Sequence, residues 1–171
     1  EQISIGLLGA DLEQANGHYR IKKIYTDENW NPNLHAPLAQ PGINIQEGDY
    51  LLAVNGEKLE APTNPYDLLE GTAERNTMLT INDEPNMEAA ETVSVIPVED
   101  EGELRTRAWV ERNRERVNDM SNGKLAYVWL PNTGQGGFQA FNRYYFAQQH
   151  KEGVVIDERN NGGGSAADYM I

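Results

Sequence analysis

A strand–helix–strand pattern in the last third of the sequence most constrains the fold. The apolar runs KLAYVWLP (124–131) and VVIDE (154–158) are each typical of a buried strand. Between them, FQAFNRYYFAQQHKEG (138–153) indicates an aromatic-rich helix that ends at a glycine. Two strands joined through a helix run parallel in one sheet. The pattern therefore predicts a βαβ unit.

A parallel sheet has both faces covered and usually more than two strands. Residues 104–171 are too few to complete such a domain, and the sequence stops at DYMI, with apolar residues where a helix should continue. We therefore expect this domain to be incomplete in the chain, and the whole protein to continue beyond it.

The preceding residues predict a small β-rich domain. Residues 3–9 (ISIGLLG), 75–83 and 91–98 favour strands, and two Asn-Gly pairs, at 16–17 and 55–56, are strong hairpin signals. In NPYDLLEG, Asn64 before a proline and Gly71 at the end predict a short helix. The fold class expected for the whole chain is mixed α+β.

An acidic segment, EDEGE (99–103), separates this domain from a helix predicted over 104–122. The segment lacks the spacing of a calcium-binding loop, so we interpret it as a solvated linker. The expected domains are thus 1–98, the linker 99–103, and 104–171. In the predicted helix, Trp109, Asn113, Val117 and Met120 share one face, and Gly123 stops it.

Composition limits the partners. The net charge of −13 among 171 residues argues against nucleic acid and anionic membranes, which would repel the chain. No apolar run reaches the length of a membrane span, and no signal peptide is visible. The absence of cysteine excludes disulfides and thiolate chemistry. We expect neither a metal nor a cofactor.

Three consecutive glycines, Gly162 to Gly164, follow the second strand of the βαβ unit. A phosphate cradle is disfavoured, because no lysine follows and Asp157 and Glu158 would repel phosphate. A nucleophile elbow at Ser165 would need a glycine where Ala167 stands. Ser165 to Asp168 instead matches a helix capping box. Backbone N–H groups that form an oxyanion hole are the favoured interpretation, since glycine lets a substrate approach the backbone.

The first domain resembles PDZ domains. The order of features in APLAQPGINIQEGDYLLAVNGEKL (36–59) matches that family, with its Gly-hydrophobic, Gly-Asp and Asn-Gly pairs. The resemblance implies a small β-barrel that binds an extended peptide as an added strand. It also implies that the loop Gly6, Leu7, Leu8, Gly9 binds the carboxylate of the peptide. Two glycines in an edge strand indicate a β-bulge equally well.

Together, the PDZ-like domain, the helix with RAWVERNRERV, and GVVIDERNNGGG resemble the C-terminal-processing serine peptidases, and among them the tricorn type. The resemblance implies the first part of a ClpP/crotonase-like α/β peptidase domain. It further implies that Gly164 donates an oxyanion-hole N–H, that Gly162 and Gly163 line the substrate cleft, and that the catalytic serine lies later in the whole protein.

Two alternative functions are therefore considered for the chain. The first is a serine peptidase, of which this chain is an inactive part with a PDZ domain for substrate binding or gating. The alternative is an adaptor that binds peptide C-termini. Peptides or unfolded polypeptides are the expected partners, and the resemblance implies that the parent could be homo-oligomeric. A tricorn-like protein would be cytoplasmic; an exported location stays open.

Overall fold

The computed structural model describes residues 4–26, 34–165 and 168, and the chain divides into two compact units, Glu1–Thr106 and Arg107–Ile171. The strands are β1 (Ala10–Ala15), β2 (His18–Ile24), β3 (Tyr50–Val54), β4 (Glu57–Lys58), β5 (Thr77–Asn82), β6 (Glu91–Val95), β7 (Leu125–Trp129) and β8 (Gly153–Asp157). The helices are α1 (Pro65–Leu68), α2 (Gly102–Met120) and α3 (Gln135–Ala147), with a 3-10 helix at Pro37–Ala39.

The first unit is an antiparallel sheet in the order β1-β2-β3-β5-β6, with β4 paired to β3. All five residues of β3 are buried, so this strand forms the centre of the unit. Aliphatic side chains from the strands, the 3-10 helix and the α1 region pack around it, including Leu8, Ile21, Leu38, Leu51, Leu59, Leu69, Leu79 and Val95. The unit is PDZ-like, as predicted.

Both Asn-Gly pairs form hairpin turns. Asn16 and Gly17 have φ of 52° and 77°, and Asn55 and Gly56 have φ of 50° and 83°. Two successive positive φ angles match the right-handed twist of the flanking strands, and Asn and Gly tolerate them best. The predicted hairpins are therefore confirmed.

The prediction of a strand over 3–9 is wrong for the described residues of that segment. Ile5 and Leu7 form only isolated bridges, with Glu70 and Val98, and β1 begins at Ala10. The physical reason lies in the glycines. Gly9 has a positive φ of 67°, and a Cβ on Gly6 would lie 2.1 Å from Thr72 Oγ1, so the chain bends and passes close to its neighbours instead of continuing a strand.

The short helix α1 carries the predicted start and stop signals. The side chain of Asn64 accepts a hydrogen bond from the N–H of Tyr66, and Pro65 is the first helical residue. Gly71, with φ of 68°, follows its end. The helix is only four residues long.

The predicted linker is not fully solvated. Glu101 is 7% exposed, and α2 begins at Gly102 instead of residue 104. The Glu101 carboxylate accepts hydrogen bonds from the N–H of Gly9 at 2.9 Å and from Arg105 Nε at 2.7 Å. The same arginine reaches Asp11 Oδ1 at 2.7 Å, so the first turn of α2 is fixed to β1 within the first unit. The domain boundaries stay a prediction.

The second unit contains the predicted βαβ arrangement. β7 and β8 are parallel, in register from Leu125 with Gly153 to Trp129 with Asp157, and α3 connects them. The prediction that both strands are buried holds only for β7. In β8, Val154, Val155 and Ile156 are 38–48% exposed, because among the described residues β8 has a neighbouring strand on one edge only.

The side of α2 that carries Trp109 and Asn113, which were predicted to share one face, packs against β7. Trp109 contacts Trp129 edge to face at 5.7 Å between ring centroids, and Asn113 Nδ2 donates to the Tyr127 hydroxyl at 3.3 Å. Met120 departs from the prediction, since it is 76% exposed at the last residue of the helix.

Replacing Asn55 tests the turn that joins β3 to β4 and bonds to β5. Its Oδ1 accepts a hydrogen bond from Met78 N at 2.9 Å, and its own N–H donates to Met78 O at 2.7 Å. We expect Asn55→Ala to lower the free energy of unfolding by about 1–3 kcal/mol, because it removes an acceptor and places alanine at positive φ. Asn55→Gly should cost less, since glycine tolerates that φ. Urea denaturation followed by far-UV circular dichroism measures both, and equal losses would show that the φ angle contributes nothing.

Candidate functional site

The loops that follow β7 and β8 are joined by backbone hydrogen bonds. Leu130 N donates to Asp157 O at 2.9 Å, continuing the ladder of the two strands. Gly162 N then donates to Pro131 O at 2.9 Å, and Thr133 N donates to Gly163 O at 2.9 Å. The triple glycine is therefore held as an extension of the parallel pair, beside the start of α3.

Gly164 is in close backbone contact with the other loop. A Cβ at this position would lie 2.4 Å from Thr133 C and 2.6 Å from Gly134 N, and φ is +144°. Gly162 differs, because the nearest atom to a Cβ there is Pro131 O at 3.9 Å. The three glycines are thus not equivalent: only at Gly164 does the neighbouring backbone exclude every side chain.

The three glycine N–H groups also differ in their partners. Gly162 N is bonded to Pro131 O, and Gly163 N donates to Asn161 Oδ1 at 2.7 Å. Among the described residues, the N–H of Gly164 has no hydrogen-bond partner, and the residue is exposed. This amide is the one member of the triplet that can bind an incoming oxygen atom without first losing an internal bond.

The N-terminus of α3 lies beside Gly164. The helix begins at Gln135, before the start at residue 138 that the sequence predicts. Asn132 makes this start possible, because its Oδ1 accepts hydrogen bonds from Gly134 N and Gly137 N, both at 2.9 Å. A side chain at Gly137 would collide with Asn132 O. The positive end of the α3 dipole is therefore next to the free amide of Gly164.

A hydrogen-bonded group at the end of β8 supports the loop. The buried Asp157 accepts from the Tyr127 hydroxyl at 2.6 Å and from Arg159 N at 3.0 Å and Nε at 2.9 Å. The Arg159 guanidinium also lies over the Trp109 ring, 4.9 Å from its centroid, and Trp129 Nε1 donates to Arg159 O at 3.1 Å. These contacts fix the backbone three residues before the first glycine.

The charges in this group are strongly coupled. The hydrogen bonds from the Arg159 side chain hold the pKa of Asp157 well below its usual range. Burial, followed by the hydrogen bond to Asp157, raises the pKa of Tyr127 to about 12. Asp157 is therefore a carboxylate and Tyr127 a neutral donor at physiological pH. Sequence reasoning considered Asp157 only for its repulsion of phosphate and missed this role, although an acid and an arginine two residues apart at a strand end were visible.

The loop predicted to bind a peptide carboxylate has most of its amides already bonded. Gly6 N donates to Leu69 O at 2.9 Å, Leu7 N to Val98 O at 2.8 Å, and Gly9 N to the carboxylate of Glu101 at 2.9 Å. Leu8 is buried in the core. A ligand carboxylate at Gly9 would have to displace Glu101, so the assignment of Gly6–Gly9 as a binding loop stays a prediction.

Other predicted features lie partly outside the described residues or are searched for only within them. The capping box contains residues 166 and 167, of which nothing is described, so the predicted helix after Ser165 is untested. Among the described residues, no cluster of three or more His, Cys, Asp or Glu side chains could hold a metal ion. Within the same residues, none of the helices has the length and apolar character that crossing a membrane requires.

Comparison with known families identifies the first unit. The model of the tricorn protease PDZ domain matches residues 6–100, which is more than half of the chain. The chain belongs to the family of tricorn protease PDZ domains. This agrees with the hairpin turns and the PDZ-like sheet of the first unit, and with the resemblance found in its sequence.

The relatives extend the likeness over both units. The chain is 35% identical to tricorn protease homolog 1 of Streptomyces coelicolor over 97% of its own length. It is also 35% identical to the tricorn protease homolog of Saccharolobus solfataricus, over all of its length. It spans only 16% of each of these proteins. A crystal structure of the tricorn protease matches its fold with a TM-score of 0.83, 24% identity, and coverage of 98% of this chain and 16% of that one.

Replacing Asp157 tests the support of the loop. We expect Asp157→Ala to lower the free energy of unfolding at pH 7 by about 1–3 kcal/mol, because the Tyr127 hydroxyl loses its buried acceptor. Glu158→Ala, at the exposed next residue, is the control and should stay within about 0.5 kcal/mol. Urea denaturation monitored by near-UV circular dichroism, to which Trp109 and Trp129 contribute, measures both.

The same variant has an expected pH dependence. The folded-state pKa of Asp157 lies below the unfolded value of about 4, so its contribution is complete above that value and is lost as pH falls through the folded pKa. The stability difference between wild type and Asp157→Ala should therefore be smaller at pH 3 than at pH 7. A difference that grows on acidification would contradict the assignment.

Proposed function

We propose that the second unit carries one donor of the oxyanion hole of a serine peptidase, and that the donor is the N–H of Gly164. The observation that supports this is the exposed amide of Gly164, which has no partner among the described residues. It lies next to the N-terminus of α3, where the backbone of Thr133 and Gly134 excludes any side chain. The names of the relatives support a peptidase, but their activity belongs to proteins of which this chain spans a small share.

The proposed chemistry needs a negative oxygen next to this amide. When a serine attacks a peptide carbonyl, the carbonyl oxygen becomes an oxyanion in the tetrahedral intermediate. A fixed backbone donor stabilises that charge without having to reorganise. The dipole of α3 acts in the same direction. The bonded amides of Gly162 and Gly163 would instead keep the loop in shape, with their exposed surface forming the edge of the substrate cleft.

The first unit would bind polypeptide substrates for this reaction. PDZ domains bind extended peptides by adding a strand to a sheet. The alternative is an adaptor that recognises peptide C-termini without a catalytic role. The hydrogen bond between Gly9 and Glu101 disfavours it, because the amide needed by a terminal carboxylate already has a carboxylate partner. The free amide of Gly164 also has no use in an adaptor.

Substitution of Gly164 in the full-length parent enzyme tests the proposal. We expect Gly164→Ala to lower kcat by roughly 100- to 1000-fold, the effect of losing one oxyanion donor. Gly162→Ala is the comparison, because a methyl group there meets only Pro131 O at 3.9 Å and φ is not positive; it keeps the Gly164 amide, so crowding of the cleft edge should change KM and not kcat. Steady-state hydrolysis of a fluorogenic peptide gives kcat, and circular dichroism establishes that each variant is folded.

Two outcomes would contradict the proposal. A folded Gly164→Ala enzyme with wild-type kcat/KM would show that the triple glycine forms only a tight turn and supplies no oxyanion donor. Equal losses in Gly162→Ala and Gly164→Ala would indicate a general disturbance of the loop instead of a lost donor.

The chain by itself should not hydrolyse peptides. The resemblance assigns the nucleophilic serine to a later part of a longer protein, and Ser165 matches a helix cap better than a nucleophile elbow. Incubating the purified chain with the same fluorogenic peptide checks this. Steady turnover that disappears in Ser165→Ala would show that Ser165 is the nucleophile.

A further inference from the structure

The sheet of the first unit has an open edge at β6. Met78 directs its N–H and C=O toward Asn55, on the β3 side of β5. The backbone N–H and C=O groups of successive residues alternate between the two edges of an antiparallel strand. The groups of Thr77, Leu79 and Ile81 in β5 therefore point toward β6. These residues are paired there with Val95, Val93 and Glu91. The N–H and C=O groups of Thr92 and Ser94 therefore point away from the sheet.

These outward groups have no partner among the described residues. The chain itself pairs along the same edge a few residues later. Leu7 N donates to Val98 O at 2.8 Å, and Val98 N donates to Leu7 O at 2.9 Å. By the same alternation, Val98 faces the same side as Thr92 and Ser94. The edge is thus suited to antiparallel pairing and is occupied at one end only.

A cleft of about 650 Å³ runs along this edge. One wall is the 3-10 helix and the segment after it, including Pro37, Pro41 and Ile43, and the other is β6. Val93 and Ile43 are half-buried in the cleft, and Ile96 is 49% exposed at its end. A strand lying here would gain main-chain hydrogen bonds from β6 and apolar contacts for alternate side chains.

The charge beside the cleft determines which strand fits. A second concavity continues from it past Asn44 and Val93, and is lined by Asp49, Asp83 and Glu91. Among the described residues that line the two, there is no lysine or arginine. Asp49 accepts a hydrogen bond from Gln46 N, whereas Asp83 and Glu91 have no cationic partner among the described residues. The complementary ligand is basic.

We propose that the first unit binds an extended, basic peptide segment as an added strand on β6, along Thr92 to Ile96. The site differs from the loop Gly6–Gly9. Strand pairing requires no group that binds a terminal carboxylate, so the site recognises an internal segment of a polypeptide. It rests on the peptide-binding part of the proposed function and is independent of the chemistry at Gly164.

A blocked peptide tests this on the intact chain. The probe is acetyl-Lys-Thr-Val-Lys-Val-Thr-Lys-amide, with the same sequence carrying Glu for Lys as its counterpart. In a ¹H–¹⁵N NMR titration we expect saturable shifts at the amides of Thr92, Ser94 and Ile96, and slower hydrogen exchange at Thr92 and Ser94. Affinity should fall with rising salt, and the Glu peptide should bind at least tenfold more weakly.

Variants separate the edge from the charge. Ser94→Pro removes an outward N–H that makes no bond within the sheet, so it should weaken binding at least tenfold while the chain stays folded. Asp83→Asn combined with Glu91→Gln leaves the backbone edge intact. It should lower the affinity for the Lys peptide about fivefold, because two negative charges beside the cleft are lost. Glu57→Gln, on β4, is the charge control and should change nothing.

Three results would overturn the proposal: shifts centred on β1 and α1, wild-type affinity in Ser94→Pro, or no saturable binding up to millimolar peptide. A peptide that binds only with a free carboxylate and shifts Gly6–Gly9 would support the predicted loop instead. Loss of kcat in Gly164→Ala would remain a separate result, so failure here and failure of the proposed oxyanion hole are distinguishable.

Discussion

Buried backbone amides must find hydrogen-bond partners, and this requirement shapes both units of the chain. In the first unit, the segment before β1 does not form a strand, yet Gly6, Leu7 and Gly9 each donate to a carbonyl or carboxylate oxygen. In the second unit, the loops after β7 and β8 exchange bonds up to Gly163. Among the described residues, the N–H groups of Gly164 and of Thr92 and Ser94 in β6 have no partner, so each can offer the backbone to another molecule.

The free amide at Gly164 depends on a close approach between two loops. Asn132 accepts from two amides at the start of α3, which lets the helix begin beside the triple glycine. Gly164 then comes within contact of the Thr133 backbone, so its amide is held in place without being used. A donor that is fixed before the reaction is what oxyanion stabilisation requires. The Asp157–Arg159 pair fixes the strand end from which the loop departs.

The first unit supplies a carboxylate of its own to the loop Gly6–Gly9. Glu101, at the start of α2, supplies its own carboxylate to the Gly9 amide, and Arg105 connects it to Asp11 and Tyr25. The loop thus has an internal partner. Along the edge that Leu7 leaves open beyond its pairing with Val98, β6 has backbone groups without a partner among the described residues, and an acidic neighbourhood. Both features favour recognition of a basic internal segment over recognition of a chain terminus.

The sequence by itself determined the local structure, because turn and helix signals act within a few residues. The Asn-Gly turns, the cap at Asn64 and the βαβ order all formed as their residues indicate. The family resemblance is also carried by the sequence, and it implies a role for Gly164. Only the tertiary structure decided which amides are bonded and which are free. Those bonds join residues far apart in sequence, such as Gly9 with Glu101, and no periodicity encodes them. The exposure of β8 and the start of α3 at Gln135 were decided in the same way, by neighbours that the local pattern does not contain.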